Sequence, residues 1–216
     1  MARMTALQIS QLDNMNAASQ RAGGLGTLID TIQYGGIATP DAGNLNVLSA
    51  IEYSIAPVLG TATKVHAAIP LLVGTQTIIT GITNPDVPRL VSVKGNDANV
   101  TGNVVITGTD INDNVITNTI ALNAANEVAG TKAFKTVTSI ALPTYAVAGT
   151  ETVSIGTTAK IGLPVAVPNA SVVIAKTFDG SADAGTVTAS ATLEGSVYAT
   201  AGTYNGAKIV SLVILA

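Results

Sequence analysis

Gly185-Thr186-Val187-Thr188-Ala189-Ser190-Ala191-Thr192-Leu193-Glu194 alternates between small or branched apolar residues and hydroxyl-bearing ones. In an extended chain Val187, Ala189, Ala191 and Leu193 fall on one side, and Thr186, Thr188, Ser190 and Thr192 on the other. A period of two marks a strand with one buried and one wetted face, so the spacing predicts a strand over Gly185–Glu194. Read outward, the same pattern predicts strands at Ala67–Leu72, Gln76–Thr80, Arg89–Lys94, Asn103–Thr107, Asn114–Leu122, Ala133–Leu142, Thr152–Ile155, Ser171–Thr177 and Ala207–Leu215. Turn-formers separate them: Asn84-Pro85-Asp86, Gly95-Asn96-Asp97, Asp110-Ile111-Asn112-Asp113-Asn114, Ala148-Gly149-Thr150 and Asp183-Ala184-Gly185. Asn and Asp bond their own backbone, and Gly supplies positive φ. Short strands at this spacing predict a mainly β fold, a β-sandwich of Ig-like or jelly-roll-like type. Pro85 and Pro88 place a strand start after them rather than a strand through them. The last predicted strand is apolar on both faces, which fits either a central strand of the sandwich or a strand covered by a neighbouring subunit.

Residues 1–63 read differently. Leu7, Leu12, Met15 and Ala18 form a helical face over Thr5–Arg21, stopped by Gly23, Gly24 and Gly26. Leu45, Leu48, Ile51 and Ile55 fit a helical stripe that Pro57 ends, so Asn44–Leu59 stays ambiguous. The expected organisation is an N-terminal arm or small subdomain at 1–63, with a short helix, and a β-sandwich domain at 64–216.

The composition narrows the function. Hydrophobic residues make up 47% of the 216 residues, but only 11% are charged and 3% aromatic, against about 25% charged in ordinary domains. A Thr- and Asn-rich surface with so few charges forgoes the usual source of solubility, which predicts that much of it meets other protein. The net charge of −3 divides into −2 over residues 1–63, 0 over 64–165 and −1 over 166–216, with no basic cluster. Nucleic-acid binding therefore lacks its electrostatic term. Absence of cysteine excludes disulfides and thiolate metal sites. The first residues lack the apolar run of a signal peptide, and no stretch of about 18 apolar residues predicts a membrane span.

Candidate chemistry is sparse. His66 is the single histidine and sits between Val65 and Ala67 at a strand start, without a nearby carboxylate in sequence. That position fits a structural ring better than a catalytic base. Glycoside hydrolysis needs two carboxylates at a set separation, whereas Glu52, Glu127, Glu151, Glu194 and the later Asp are scattered, mostly in turns. Asp110–Asn114 offers oxygen ligands, with Asp97 and Asn99 as further donors if the fold brings them close. It lacks the Gly and distal Glu of a helix–loop–helix calcium site. Gly102, Gly108, Gly130 and Gly156 match no phosphate loop. Phe134, within Lys132-Ala133-Phe134-Lys135, is expected to anchor the core, and the lack of Trp weakens a lectin reading. No catalytic, cofactor-binding or metal-binding residues are expected, and the chain is expected not to be an enzyme.

The middle of the chain resembles a module of tailed-bacteriophage structural proteins. The resemblance covers Val65–Pro164 and is carried by Ile82-Thr83-Asn84-Pro85-Asp86-Val87-Pro88-Arg89, Val105-Ile106-Thr107-Gly108-Thr109, Lys132-Ala133-Phe134-Lys135-Thr136-Val137-Thr138-Ser139-Ile140 and Lys160-Ile161-Gly162-Leu163-Pro164. It implies a β-sandwich module without catalysis on the virion. With the composition, the expectation is a capsid decoration (cement) or auxiliary head protein. Such a protein would be made in the host cytoplasm and would bind the major capsid protein. It is expected to be a homo-oligomer, with a trimer favoured, and to have no nucleic-acid or membrane partner. The rival expectations are a tail or head fibre module that binds host-surface glycan, and a hydrolase acting on host polysaccharide.

Overall fold

The computed structural model describes residues 49–145 and 149–215. They form fourteen strands and one 3-10 turn, Ala170–Val172. The helix expected over Thr5–Arg21 lies outside the described residues. The compact unit begins at Ser49, so Ala50–Ile55, grouped by sequence with the segment 1–63, belongs to its sheets. The ambiguity over Asn44–Leu59 resolves there as strand: side chains at 51, 53 and 55 are half-buried and those at 50, 52 and 54 exposed, a period of two rather than 3.6.

Three antiparallel sheets build the unit. The central one runs β12 (Thr186–Thr188), β13 (Val197–Ala199), β9 (Thr152–Gly162), β4 (Arg89–Gly95) and β7 (Glu127–Phe134), with β2 (His66–Pro70) also on β9. A second sheet runs β3 (Gln76–Ile78), β8 (Thr136–Leu142), β5 (Asn103–Thr109) and β6 (Val115–Ala121). The third runs β1 (Ala50–Ile55), β14 (Val210–Leu215), β10 (Val173–Phe178) and β11 (Ser181–Ala182). The mainly β sandwich expected from the alternation is what the chain forms.

β9 organises the molecule. Along one flank it pairs with β4, from Arg89↔Ile161 to Gly95↔Val153. On the other flank it pairs with β2 near its start, where Pro70 faces Thr152, and with β13 near its end, where Val197 faces Gly162. Two apolar cores follow. Val153 and Ile155 at its first half join Val91, Val93, Val104, Ile106, Phe134 and Ile140 between the central and second sheets. Ile161 at its second half and Leu163 just beyond join Tyr198, Tyr204, Val210, Leu212 and Ile214 under the third sheet. Each Val, Leu or Ile so buried contributes about 1.5–3 kcal/mol of transfer free energy.

Several boundaries move. Ala133–Leu142, one predicted strand, is two: β7 ends at Phe134 and β8 begins at Thr136 in another sheet, with Lys135 at the corner. Phe134 is fully buried there, as expected. The predicted strand Gly185–Glu194 shrinks to Thr186–Thr188. Beyond it the hydroxyls fold the chain instead: Ser190 Oγ accepts from the Thr192 backbone N–H (3.1 Å), and Ser196 Oγ donates toward the carbonyls of Ser190 and Thr192 (3.1 and 2.9 Å). Side-chain bonds of this kind compete with ladder bonds. The carboxyl-terminal strand β14 is central in its own sheet, between β1 and β10, with Val210, Leu212 and Ile214 fully buried and the intervening residues half-buried.

Candidate functional site

The sheet β3-β8-β5-β6 presents the feature that stands out for function. Its strands read Gln-Thr-Ile, Thr-Val-Thr-Ser-Ile-Ala-Leu, Asn-Val-Val-Ile-Thr-Gly-Thr and Val-Ile-Thr-Asn-Thr-Ile-Ala, without one charged residue. Inward residues Val104, Ile106, Ile116, Ile120, Val137 and Ile140 fill the first core. The outward side chains are at least partly exposed and are chiefly threonines: Thr107 and Thr109 on β5, Thr117 and Thr119 on β6, Thr136 and Thr138 on β8. Cross-strand pairing sets them in rows. Thr107 lies opposite Thr117, and the Thr109 and Thr136 hydroxyls hydrogen-bond at 2.8 Å. Thr138 Oγ1 donates to the Thr107 carbonyl at 3.2 Å. Gly108 is required here, because a Cβ would meet the Thr136 carbonyl oxygen and the Phe134 ring.

One end of this face is closed by the β5–β6 hairpin. Asp110, 4% exposed, accepts the backbone N–H groups of Asn112 (2.8 Å) and Asn114 (2.9 Å) on one oxygen and Asn114 Nδ2 (3.1 Å) on the other. Asp113 takes a left-handed φ of 65° and pairs with Lys135 Nζ at 2.8 Å. The oxygen-rich loop that suggested an ion is thus a turn whose buried carboxylate is spent on its own backbone. Among the described residues no cluster of three or more His, Asp or Glu side chains is set to hold a metal ion. Asp97 and Asn99, the further oxygen donors, bond to each other: Asp97 accepts from the Asn99 backbone and side chain at 2.9 and 2.8 Å.

The remaining chemically capable residues are dispersed. His66 begins β2, its Nδ1 3.0 Å from the Ala67 carbonyl oxygen. Glu52 is exposed on β1, and Glu194 pairs with Lys132 at 3.4 Å. Glu127 starts β7 and accepts from the buried Ser92 hydroxyl at 2.5 Å. It borders an open groove of about 380 Å³ beside Leu59, Thr61 and Thr158. Gly102 has a φ of +103°, and Gly108, Gly130 and Gly156 lie inside strands against neighbouring chain segments.

Sequence reasoning missed a polar cluster inside the second core. Arg89 is fully buried at the start of β4. Its guanidinium donates twice to the Val58 carbonyl (3.1 Å) and once to Asp86 (3.1 Å), and sits 5.8 Å from the Tyr204 ring centre. Burial lowers its pKa and the Asp86 charge opposes that shift. Asp86 also accepts the Val58 N–H at 2.8 Å. Tyr198 donates to Asp183 at 2.5 Å. Burial first, and then that bond, raises the Tyr198 pKa. Burial likewise pushes Tyr53 up to about 12. The sequence signal was Asp86 three residues before Arg89, across Pro88. Arg89, Asp86 and Val58 bond to one another and Tyr198 to Asp183, as structural groups do, whereas the buried Tyr53 and Tyr204 hydroxyls have no hydrogen-bond partner among the described residues. No family model, curated protein or solved structure matches this chain.

Proposed function

We propose that the protein is a non-enzymatic structural component of a phage virion. It is read as a capsid decoration protein that lays a neutral sheet face on the major capsid protein and stiffens the head shell. The carrying observation is the uncharged sheet β3-β8-β5-β6 with its rows of threonines. A soluble protein ordinarily spreads charge over such a face. Threonine offers methyl and hydroxyl together, and so can be covered by another protein at less desolvation cost than a charged side chain. Modest energy per contact suffices when many copies bind one shell. The sequence resemblance over Val65–Pro164 supplies the virion setting.

The test is binding of the purified chain to emptied capsids, with electron microscopy of the intact particle to count copies. Decoration predicts copies in the hundreds and a less stable shell without them. Replacing Thr107 and Thr117 together by Lys is expected to weaken capsid binding at least about tenfold, since each buried unpaired ammonium costs more than 1.4 kcal/mol. Undiminished binding by that variant would remove the sheet from the interface. A few copies per particle, with host range lost on deletion, would favour the glycan-binding fibre instead.

A further inference from the structure

We infer that β1 is an assembly edge, where Ala50–Ile55 pairs antiparallel with the same strand of a second copy about a two-fold axis. The sheet edges differ in how they are protected. β3, β11 and β12 are only two or three residues long. β6 and β7 are long, but they flank each other: the chain turns between them through the Asn123–Asn126 bridge, and Gly130 of β7 abuts Asn118 and Ile120 of β6. β2, on the flank of β9, breaks register between His66 and Ile69 and ends on Pro70, a bulge and a proline that blunt its free side. That leaves β1, six residues long and bonded to β14 on one side. Among the described residues no strand pairs with its other side. Natural edges are usually blunted by Lys, Pro, a bulge or shortness. β1 has none of these, and its register with β14 runs unbroken from Ala50↔Leu215 to Ile55↔Val210.

The strand is also complementary to itself. With the axis through Tyr53, Ile51 faces Ile55 and Glu52 faces Ser54, so apolar meets apolar on the inner side and no like charges oppose. An axis through Glu52 would set two carboxylates face to face, which selects against that register. Tyr53 and Ile55 already pack on the second core and keep only part of their surface exposed, so pairing completes their burial. On the outer side Ala50 lies beside Leu215 and Glu52 beside Val213, giving the joined sheet a partly apolar back. A two-fold contact uses the same patch on both copies and closes on itself. It replaces the trimer expected from sequence with a dimer, and it does not depend on what the protein coats. A single strand pair is a small interface, so the dimer should dissociate in the micromolar range.

The chain has no cysteine, which makes cross-linking free of background. Two full-length single variants, Glu52→Cys and Ser54→Cys, alter exposed positions only. In the proposed register residue 52 of one copy faces residue 54 of the other, within disulfide reach. Oxidation of the mixture should therefore yield a covalent dimer, while each variant alone stays uncross-linked. Sedimentation equilibrium of the unaltered chain should show a monomer–dimer equilibrium. A chain that stays monomeric at high concentration with no cross-link in the mixture, because its own residues 1–48 or nothing at all covers the edge, would overturn the inference. So would a trimer mass, or cross-linking by one variant alone.

Discussion

The two cores on either side of β9 are built on different principles. The first is mainly aliphatic: Val, Ile and Leu from both sheets close around Phe134, with the buried Asn118 of β6 among them, and Tyr145 beside it is partly exposed and bonds outward to the Asn99 carbonyl. The second holds Tyr53, Tyr198, Tyr204 and Phe178, with an edge-on Phe178–Tyr204 contact, and encloses the Arg89 guanidinium. An aliphatic core is specified by pattern and volume, and it tolerates exchange among residues of similar size. A core with buried polar groups is specified by partners, and losing one partner leaves another stranded. The first half of the molecule should therefore answer to changes of shape, the second to changes of charge and proton.

Four experiments separate the two. Phe134→Ala opens a cavity in the first core and should cost about 4 kcal/mol, read as a lowered midpoint in chemical denaturation. Arg89→Ala leaves Asp86 and the Val58 carbonyl without their donor. It should cost about 3 kcal/mol, the lower end for a broken buried pair because Asp86 is 20% exposed. If Arg89→Ala proves neutral, the second core is held by its aromatic rings and the contrast fails. Alkaline pH should also act on the second core. Tyr53 ionises near 10 when unfolded and near 12 when folded. Its contribution is complete below pH 10 and is lost as pH rises to about 12, on the order of 2 kcal/mol over that window. Tyr53→Phe should flatten that decline, as measured by unfolding at pH 9 and pH 11.5. The smallest effect is expected from Tyr198→Phe, which removes the bond to Asp183. A loss of about 1 kcal/mol in thermal unfolding would fit one side-chain hydrogen bond.

The aliphatic half was the legible half. The strands predicted at Arg89–Lys94, Asn103–Thr107 and Asn114–Leu122 lie within a residue or two of β4, β5 and β6; in β5 and β6 the alternation of Val and Ile with Thr and Asn reports burial directly, and β4, covered on both faces, reads as a short apolar run. Gly185–Glu194 shows the limit of the same rule. Two of its four apolar positions are Ala, which bury little, and beyond Thr188 the Ser190 hydroxyl and the Thr192 backbone found partners in a turn. The corner at Lys135 was invisible because both strands it joins carry the same period. β1 was obscured by Ile51 and Ile55, spaced as well for a helix as for a strand. The candidate face was legible as composition, an excess of Thr over charge. Its gathering onto one sheet came from the pairing of β5 with β6 and β8, contacts the sequence does not encode locally. Arg89 buried against Asp86, Val58 and Tyr204 draws on three distant segments and left only a spacing of three as a clue.

Mechanically, β9 behaves as a tie-rod. Drawn along its length, it must slide against β4 on one flank and against β2 and β13 on the other. In that shear geometry the backbone bonds yield together rather than unzipping in turn. Resistance to sustained pull is governed by the rate of unfolding, and both cores sit on the same rod. Tension entering either half is therefore carried by the whole.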